Sequence, residues 1–393
     1  MGAGPVFPTT ATAYQSVLSA VIEREVGPKA AEIDRTGDFP REAVQALGDA
    51  GLLGLLSAPQ VGGGGESLAA AAHVVESVGG RCASTGLVVL MHYAAVAVIE
   101  AHGPQDIRRA IARGDHLSSL ALSEVGSRSQ FWAPLGTATA TATEGDADGA
   151  ILLDARKSWV TSAGHAHSYV WSSRPLDGNG AMTLWLVPSD RAGLRVTGKF
   201  DGVGLRGNAS CPLSGVGVVI PAEFRLGEDG AGLDVVMATA MPTFLVLSAA
   251  LSLGIMEALI AEAVAHLSRS RLQHLDQTLA QQPVPRAELA RLRIRTDAVR
   301  AFLRDTLAAL NEGREDATLR VLQIKAMAAE AASEVADSVL RLCGGAAFRK
   351  ELAVERLFRD ALAARVMAPT TEALHDFVGR SCLGLPLFDA AGT

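Results

Sequence analysis

From Val235 to Met256 the chain carries no Asp, Glu, Lys or Arg, and this run constrains the fold more than any other feature. A helix of that length can cross a bilayer. The make-up of the run speaks for a different use. Ala, Ser, Thr and Gly are as prominent as Leu, Pro242 interrupts it, and no Lys/Arg cluster flanks it as at a membrane boundary. A helix that is apolar on all sides is also what the centre of a large bundle requires. The run is therefore expected to be a buried core helix of a protein that does not use a membrane, surrounded by other helices.

Those helices can be read on both sides of it. Residues 12–116 contain Ala-rich amphipathic stretches such as REAVQALGDAGLLGLL, separated by Gly and Pro punctuation. The glycine cluster in SAPQVGGGGES follows a helix end and no strand precedes it, so it does not make a dinucleotide-binding turn. In ELARLRIRTDAVRAFLRDTLAAL, Leu289, Leu292, Val299, Phe302, Leu303, Leu307 and Leu310 form an apolar stripe with arginines opposite, read as a mostly solvated face. A second long helix, LRVLQIKAMAAEAASEVADSVLRLCGG, closes at Gly344-Gly345. Between the helical regions the period changes. TATATATEGDADGAILLDARKSWV, GAMTLWLVPSD and SGVGVVIPAEF alternate, favour Thr and Val, and are broken by D-G and N-G turns. The expected fold is α+β: an N-terminal helical domain over residues 1–117, a middle antiparallel β domain over 118–227, and a C-terminal four-helix bundle over 228–393.

Bulk properties narrow the function. A chain of 393 residues with 49% hydrophobic and 20% charged residues has a large packed core. A net charge of −7 argues against nucleic acid as partner. Cys82, Cys211, Cys343 and Cys382 are scattered without a C-x-x-C pair, which suggests neither a disulfide framework nor a metal site. No secretory or transit-type segment precedes the first helical stretch, and the expected compartment is a reducing cytoplasm.

One segment is unusual in so alanine-rich a chain. RKSWVTSAGHAHSYVW, residues 156–171, holds two of the four Trp and places Trp159, Thr161, Ser162 and His165 together. Trp159 is either β-domain core or a face for a flat ligand. His165 reads as a polar strand-end residue, and His92, inside VVLMHYAAVAVI, as a satisfied buried histidine.

The α–β–α order and several motifs in sequence resemble the acyl-CoA dehydrogenase superfamily over nearly the whole chain. LALSEVGSRSQ (120–130) resembles its flavin-binding turn, KSWVTSAG (157–164) its second flavin strand, and GLRGNASCPLSGVGVVIPAEFRLGEDGAGL (204–233) its exit from the β domain. LCGGAAFRKELAVERLFRDALAARVMAPTTEAL (342–374) resembles its Gly-Gly, Val-Glu-Arg and Arg-Asp region. The resemblance implies one FAD per chain, with Trp159 shielding the isoalloxazine ring and Thr161 bonding near N5. It implies Leu122, Ser123 and Ser129 on the pyrimidine and phosphate side, Ser129 also reaching substrate. Arg341, Gly344 and Gly345 would meet the adenine part of a neighbouring subunit's FAD, and Thr370 and Glu372 would complete the site. A homo-oligomer, dimer or tetramer, is implied, as are an acyl thioester substrate on CoA or a carrier protein and an acceptor that is a flavoprotein or oxygen.

The sequence also departs from that pattern. The usual catalytic Glu of a Glu-Gly-Thr turn is replaced by Ala368, followed by Pro369 and Thr370. The alternative helix-borne Glu is absent from MATAMPTFLVLSAAL, and the arginine usual there is replaced by Phe244 or Leu245. The Arg-x-x-Phe-Gly used against FAD phosphates meets His274-Leu275 after Arg271. Three functions stay open: a dehydrogenase with a relocated base or a substrate needing none, a flavin monooxygenase on the same fold, and an inactive flavin-binding scaffold.

Overall fold

The computed structural model describes residues 13–127, 130–141 and 149–388. Six α-helices open the described chain: α1 (Ala13–Val21), α2 (Ala30–Thr36), α3 (Arg41–Asp49), α4 (Leu68–Gly79), α5 (Ala83–His102) and α6 (Gln105–Ala112). Seven strands follow: β1 (Ser118–Ala121), β2 (Thr137–Thr141), β3 (Ala150–Val160), β4 (Ser168–Ser173), β5 (Thr183–Pro188), β6 (Leu194–Val196) and β7 (Cys211–Pro221). The chain then returns to helix in α7 (Gly232–Ala238), α8 (Ala240–Arg269), α9 (Pro283–Glu312), α10 (Ala317–Cys343), α11 (Val354–Ala361), α12 (Ala363–Val366) and α13 (Thr371–Cys382). A two-residue hairpin pairs Arg271–Leu272 with Gln277–Thr278 between α8 and α9.

The uncharged run is a core element, with Leu245, Val246, Leu247, Ala249 and Ala250 fully buried. It is not one continuous helix. The ring of Pro242 clashes with the carbonyl four residues back, which belongs to Ala238, the last residue of α7. The chain turns at Thr239 and restarts, leaving Pro242 in the first turn of α8, where a missing N–H is harmless. Around α8 pack α9 and α10 of the bundle and also α4 and α5 of the N-terminal part, so the two helical regions share one core; α13 lies against α10 as the fourth bundle helix. The crossing with α4 is close. A Cβ on Gly254 of α8 would lie 2.2 Å from the Glu76 carbonyl oxygen, so only glycine fits there.

The β domain has two sheets, ordered β1-β4-β5 and β2-β3-β7-β6. The pairing differs from the purely antiparallel expectation at one place: β1 and β4 run parallel. Between them the chain passes through β2 and β3 in the other sheet, and such a crossover returns the strand in the same direction. The arginines of α9 are likewise more engaged than a solvated face. Arg293 and Arg300 both bond Glu257 of α8, and Arg291 and Arg295 both reach Glu334 of α10.

A polar seam joins α5 to the β domain. His92 accepts the Ser118 N–H through Nδ1 at 3.1 Å, and its Nε2 lies 3.0 Å from the Leu53 carbonyl oxygen. His167 accepts the Leu117 N–H, and His116 bonds Ser168, whose hydroxyl is 2.6 Å from that of Ser118. A nitrogen that accepts a backbone N–H cannot hold a proton, so His92 is fixed as a neutral ring. Burial pushes His92 and His116 down to about 4. The reading of His92 as a satisfied buried histidine is what the structure contains.

Candidate active site

β3 would alternate strictly inward and outward, but its pairing with β7 slips between Lys157 and Val160. The extra residue turns Ser158 and Trp159 out together. Trp159 takes φ of 57° there and is 70% exposed, a placement that core packing does not explain. Of the five described non-glycine residues with positive φ, four cluster here: Trp159, Ser162, Leu205 and Ala209. Strain gathered at one spot marks a site where position matters more than stability.

Trp159 and Leu205 line a cavity of about 630 Å³, and Ser162 and Ala209 adjoin its lining residues Thr161, Asn208 and Ser210 in the chain. Its β-domain wall includes the polar residues Ser123, Ser158, Thr161, Asn208 and Ser210 with Leu122 and Trp159, alongside apolar residues such as Leu120, Phe131, Phe200 and Val203. The helical wall comes from Leu87 and Met91 of α5, Met241 and Phe244 of α8, and the turn Met367-Ala368-Pro369 between α12 and α13. The structure therefore brings Leu122, Ser123, Trp159 and Thr161 to the same cavity as Ala368. It also distinguishes the two candidates for the missing arginine: Phe244 lines the cavity, whereas Leu245, one residue round the helix, is buried in the bundle.

Behind each wall sits a buried lysine. Lys157 is fully buried, 2.5 Å from Glu124, and also donates to the carbonyl and hydroxyl of Ser172. Burial pushes its ammonium down to about 8, and the Glu124 charge opposes that shift. Glu124 in turn accepts the N–H groups of Leu135 and Gly136, which fixes the turn that carries Ser123. Lys325 of α10 donates to three carbonyls, Ala364 at 3.2 Å, Met367 at 2.9 Å and Pro369 at 2.7 Å. Burial pushes it down to about 7. Three carbonyl acceptors nevertheless match the three N–H bonds of the charged form.

The acid–base inventory of the cavity is short. Among the described residues no Asp, Glu or His lines it, and its one charged side chain, Arg359, bonds Asp34, Glu355 and the Val203 carbonyl. Those contacts occupy all five guanidinium donors. Glu372 is exposed in the first turn of α13, where its own backbone N–H and the Thr370 hydroxyl hold its carboxyl below the usual range. Thr370 caps α13 by accepting the Ala373 N–H. Neither residue lines the cavity, though both directly follow its Pro369 wall. Arg341, Gly344 and Gly345 stand apart at the end of α10; Arg341 pairs with Asp337, and added Cβ atoms at both glycines would meet nothing of this chain within 4 Å. Ser129 lies outside the described residues. Arg271 pairs with Asp276 across its hairpin. His165 stacks on Phe39 at 4.1 Å and meets Arg41, tying the β domain to the N-terminal helices.

Comparison with known proteins matches this arrangement part by part. The description "Acyl-CoA dehydrogenase, N-terminal domain" matches residues 9–114, its middle-domain counterpart residues 119–218, and its C-terminal-domain counterpart residues 230–383. The chain belongs to the acyl-CoA dehydrogenase superfamily. Within it, the chain is 27% identical over 373 residues to the probable acyl-CoA dehydrogenase YngJ of Bacillus subtilis (strain 168), spanning 92% of this chain and 94% of that one. It is 28% identical over 358 residues to the human mitochondrial short-chain specific acyl-CoA dehydrogenase, spanning 89% and 84%. The fold is similar to that of butyryl-CoA dehydrogenase from Megasphaera elsdenii, with a TM-score of 0.87, 22% identity, and 96% and 100% of the two chains covered. This acyl-CoA dehydrogenase-type chain is a flavin-dependent oxidoreductase with FAD as its cofactor. The exposed face of Trp159 and the strained, hydroxyl-bearing strand end beside it fit a flat ring with a polar edge.

Sequence reasoning missed Asn208, Lys325 and the Glu124–Lys157 pair as parts of the site. Glu124 and Lys157 both stood inside the quoted flavin motifs, and a charged residue in a strand that alternates inward was the available signal.

Proposed function

We propose that this chain is an FAD-dependent dehydrogenase of an acyl thioester, on CoA or an acyl carrier protein, whose oxidation does not begin with α-proton removal by a carboxylate at position 368. The observation that carries this reading is the cavity wall: Ala368 occupies it, and no described acidic or histidine side chain lines it. Removing a weakly acidic α proton needs a base held against it in a dry pocket. A substituent that changes which proton is lost, such as a hydroxyl or amino group on a short acyl chain, lifts that requirement. Trp159 would cover the flavin ring, Thr161 would meet its polar edge, and Leu122, Ser123 and Ser129 would hold its pyrimidine and phosphate side. Thr370 and Glu372 would border the cofactor, and Arg341, Gly344 and Gly345 would serve the FAD of a neighbouring subunit. A bound flavin supplies the hydride acceptor; the chain supplies binding, orientation and exclusion of water. The division at residues 117 and 227, a cytoplasmic homo-oligomer, and a flavoprotein electron acceptor belong to the same proposal.

Anaerobic photometry of the yellow protein tests it. Bleaching by a β-hydroxyacyl or aminoacyl thioester alone, with CoA and carrier-protein forms compared, is the expected result. Turnover only with reduced flavin and oxygen would make the protein a monooxygenase and overturn the proposal.

A further inference from the structure

Asn208 is 2% exposed, yet it forms part of the cavity wall. Its side-chain oxygen is committed, accepting the Ser210 N–H at 2.7 Å, which also fixes which end of the amide is which. The other end, the NH2 group with two donors, makes no hydrogen bond to any described residue and is not sealed in the interior but open to the cavity that the residue lines. A donor that opens on a cavity without a protein acceptor is available to an acceptor on whatever is seated there, and sealing it off without one would be unfavourable.

No neighbouring described polar group accepts from it. The hydroxyls of Thr161 and Ser210 are 3.0 Å apart and bond each other, and Arg359 is fully engaged. Ser123 and Ser158 are half-exposed. The loop that presents Asn208 is held from several sides. Asp360 accepts the Leu205 N–H at 2.6 Å, Ser84 accepts the Gly207 N–H at 3.1 Å, and the Asn208 carbonyl accepts the Ser162 N–H at 2.9 Å. Positive φ at Leu205 and Ala209 brackets the residue. A donor on so fixed a loop is preorganised for one acceptor position.

We propose that Asn208 is a binding residue of this cavity, donating its amide N–H to a carbonyl oxygen of the molecule seated there. The acceptor chemistry is shared by two sources, a flavin carbonyl and the thioester carbonyl. This inference rests on the cavity being the flavin and acyl site proposed above.

The experiment uses the full-length protein and two variants. Asn208→Asp keeps the oxygen that serves Ser210 and removes the donor; Asn208→Ala removes both. Binding of butyryl-CoA is compared with that of the S-butyl-CoA thioether, which lacks the carbonyl. Binding of FAD to apoprotein is compared with 4-thio-FAD and 2-thio-FAD, which carry weaker acceptors. The parent should favour the oxygen-bearing partner of one pair by about tenfold or more, as one buried hydrogen bond gives. Both variants should reduce that preference to less than about twofold while leaving the other pair unchanged. Which pair responds identifies the source. Unchanged preferences in both variants, with a parent that binds FAD and thioester, would overturn the inference alone. A parent that binds neither would overturn the site assignment with it. Loss of folding in Asn208→Ala is met by Asn208→Asp, which preserves the internal bond.

Discussion

The two walls of the cavity face the same space but have been shaped by different demands. The β-domain wall carries most of the polar groups and is strained and over-determined: Trp159 sits at φ 57°, Thr161 bonds Ser210, and the buried Glu124–Lys157 pair clamps the turn behind Ser123. Apart from the fully engaged Arg359, the helical wall is apolar, with Phe244, Met367, Ala368 and Pro369 where the family resemblance places an arginine and a carboxylate. Its scaffold is nevertheless intact, since Lys325 still gathers three carbonyls of the turn. On the function proposed above, the difference separates holding a cofactor from moving a proton. The first is spread over many contacts; the second rested on a single side chain.

The largest effect is expected where the walls differ most. Ala368→Glu combined with Pro369→Gly should raise dehydrogenation of butyryl- or octanoyl-CoA by about 10²–10⁴-fold, the usual worth of a general base. Pro369→Gly is included because proline biases its predecessor towards extended backbone. Efficient flavin reduction of the unmodified protein by these thioesters would show that a carboxylate elsewhere does the work.

Next in size is the scaffold of the helical wall. Lys325→Met leaves three buried carbonyls without their donor and should cost about 3 kcal/mol, read by denaturant unfolding. A variant within about 0.5 kcal/mol of the parent would mean that water replaces the ammonium without loss.

The seam behind the β wall should respond to acid. His92 and His116 titrate near 4 in the folded chain against an ordinary value of 6.5. Both are held neutral, so their contribution is complete above pH 6.5 and is lost as pH falls from 6.5 towards 4. Between pH 7 and pH 5 each should remove about 2 kcal/mol from the unfolding free energy. His116→Asn should abolish about half of that loss; a pH profile identical to the parent's would exclude the seam as its source.

The smallest effects concern flavin retention. Trp159→Ala should weaken FAD binding on the order of tenfold. Because Trp159 is 70% exposed, the stability of the apoprotein should stay within about 0.5 kcal/mol. Gly345→Trp meets open space in its own chain, so it should fold normally and lose flavin only through the neighbouring subunit. Yellow protein at unchanged affinity would remove Gly345 from the adenine site.

What could be read from the sequence follows the range of the interactions. The α–β–α order, the burial of the uncharged run and the joint placement of Leu122, Ser123, Trp159, Thr161 and Ala368 depend on local period and on motifs in order. Features that depend on distant partners stayed hidden. Lys325 meets carbonyls 39 to 44 positions away, and Lys157 meets Glu124 at a separation of 33. The parallel β1–β4 pair and the bulge that exposes Trp159 are matters of register, which alternation alone does not specify. The break at Thr239 was within reach, since Pro242 was in plain view.

Gly254 links the two helical regions to the breadth of the cavity. The backbones of α4 and α8 touch there, and residues of α5 and α8 form the apolar wall. The crossing thus fixes the placement of α8, whose first turns carry Met241 and Phe244 of the wall, at a point that lines no part of the cavity. A larger residue at position 254 would move that helix against α4 while leaving every wall side chain as inherited.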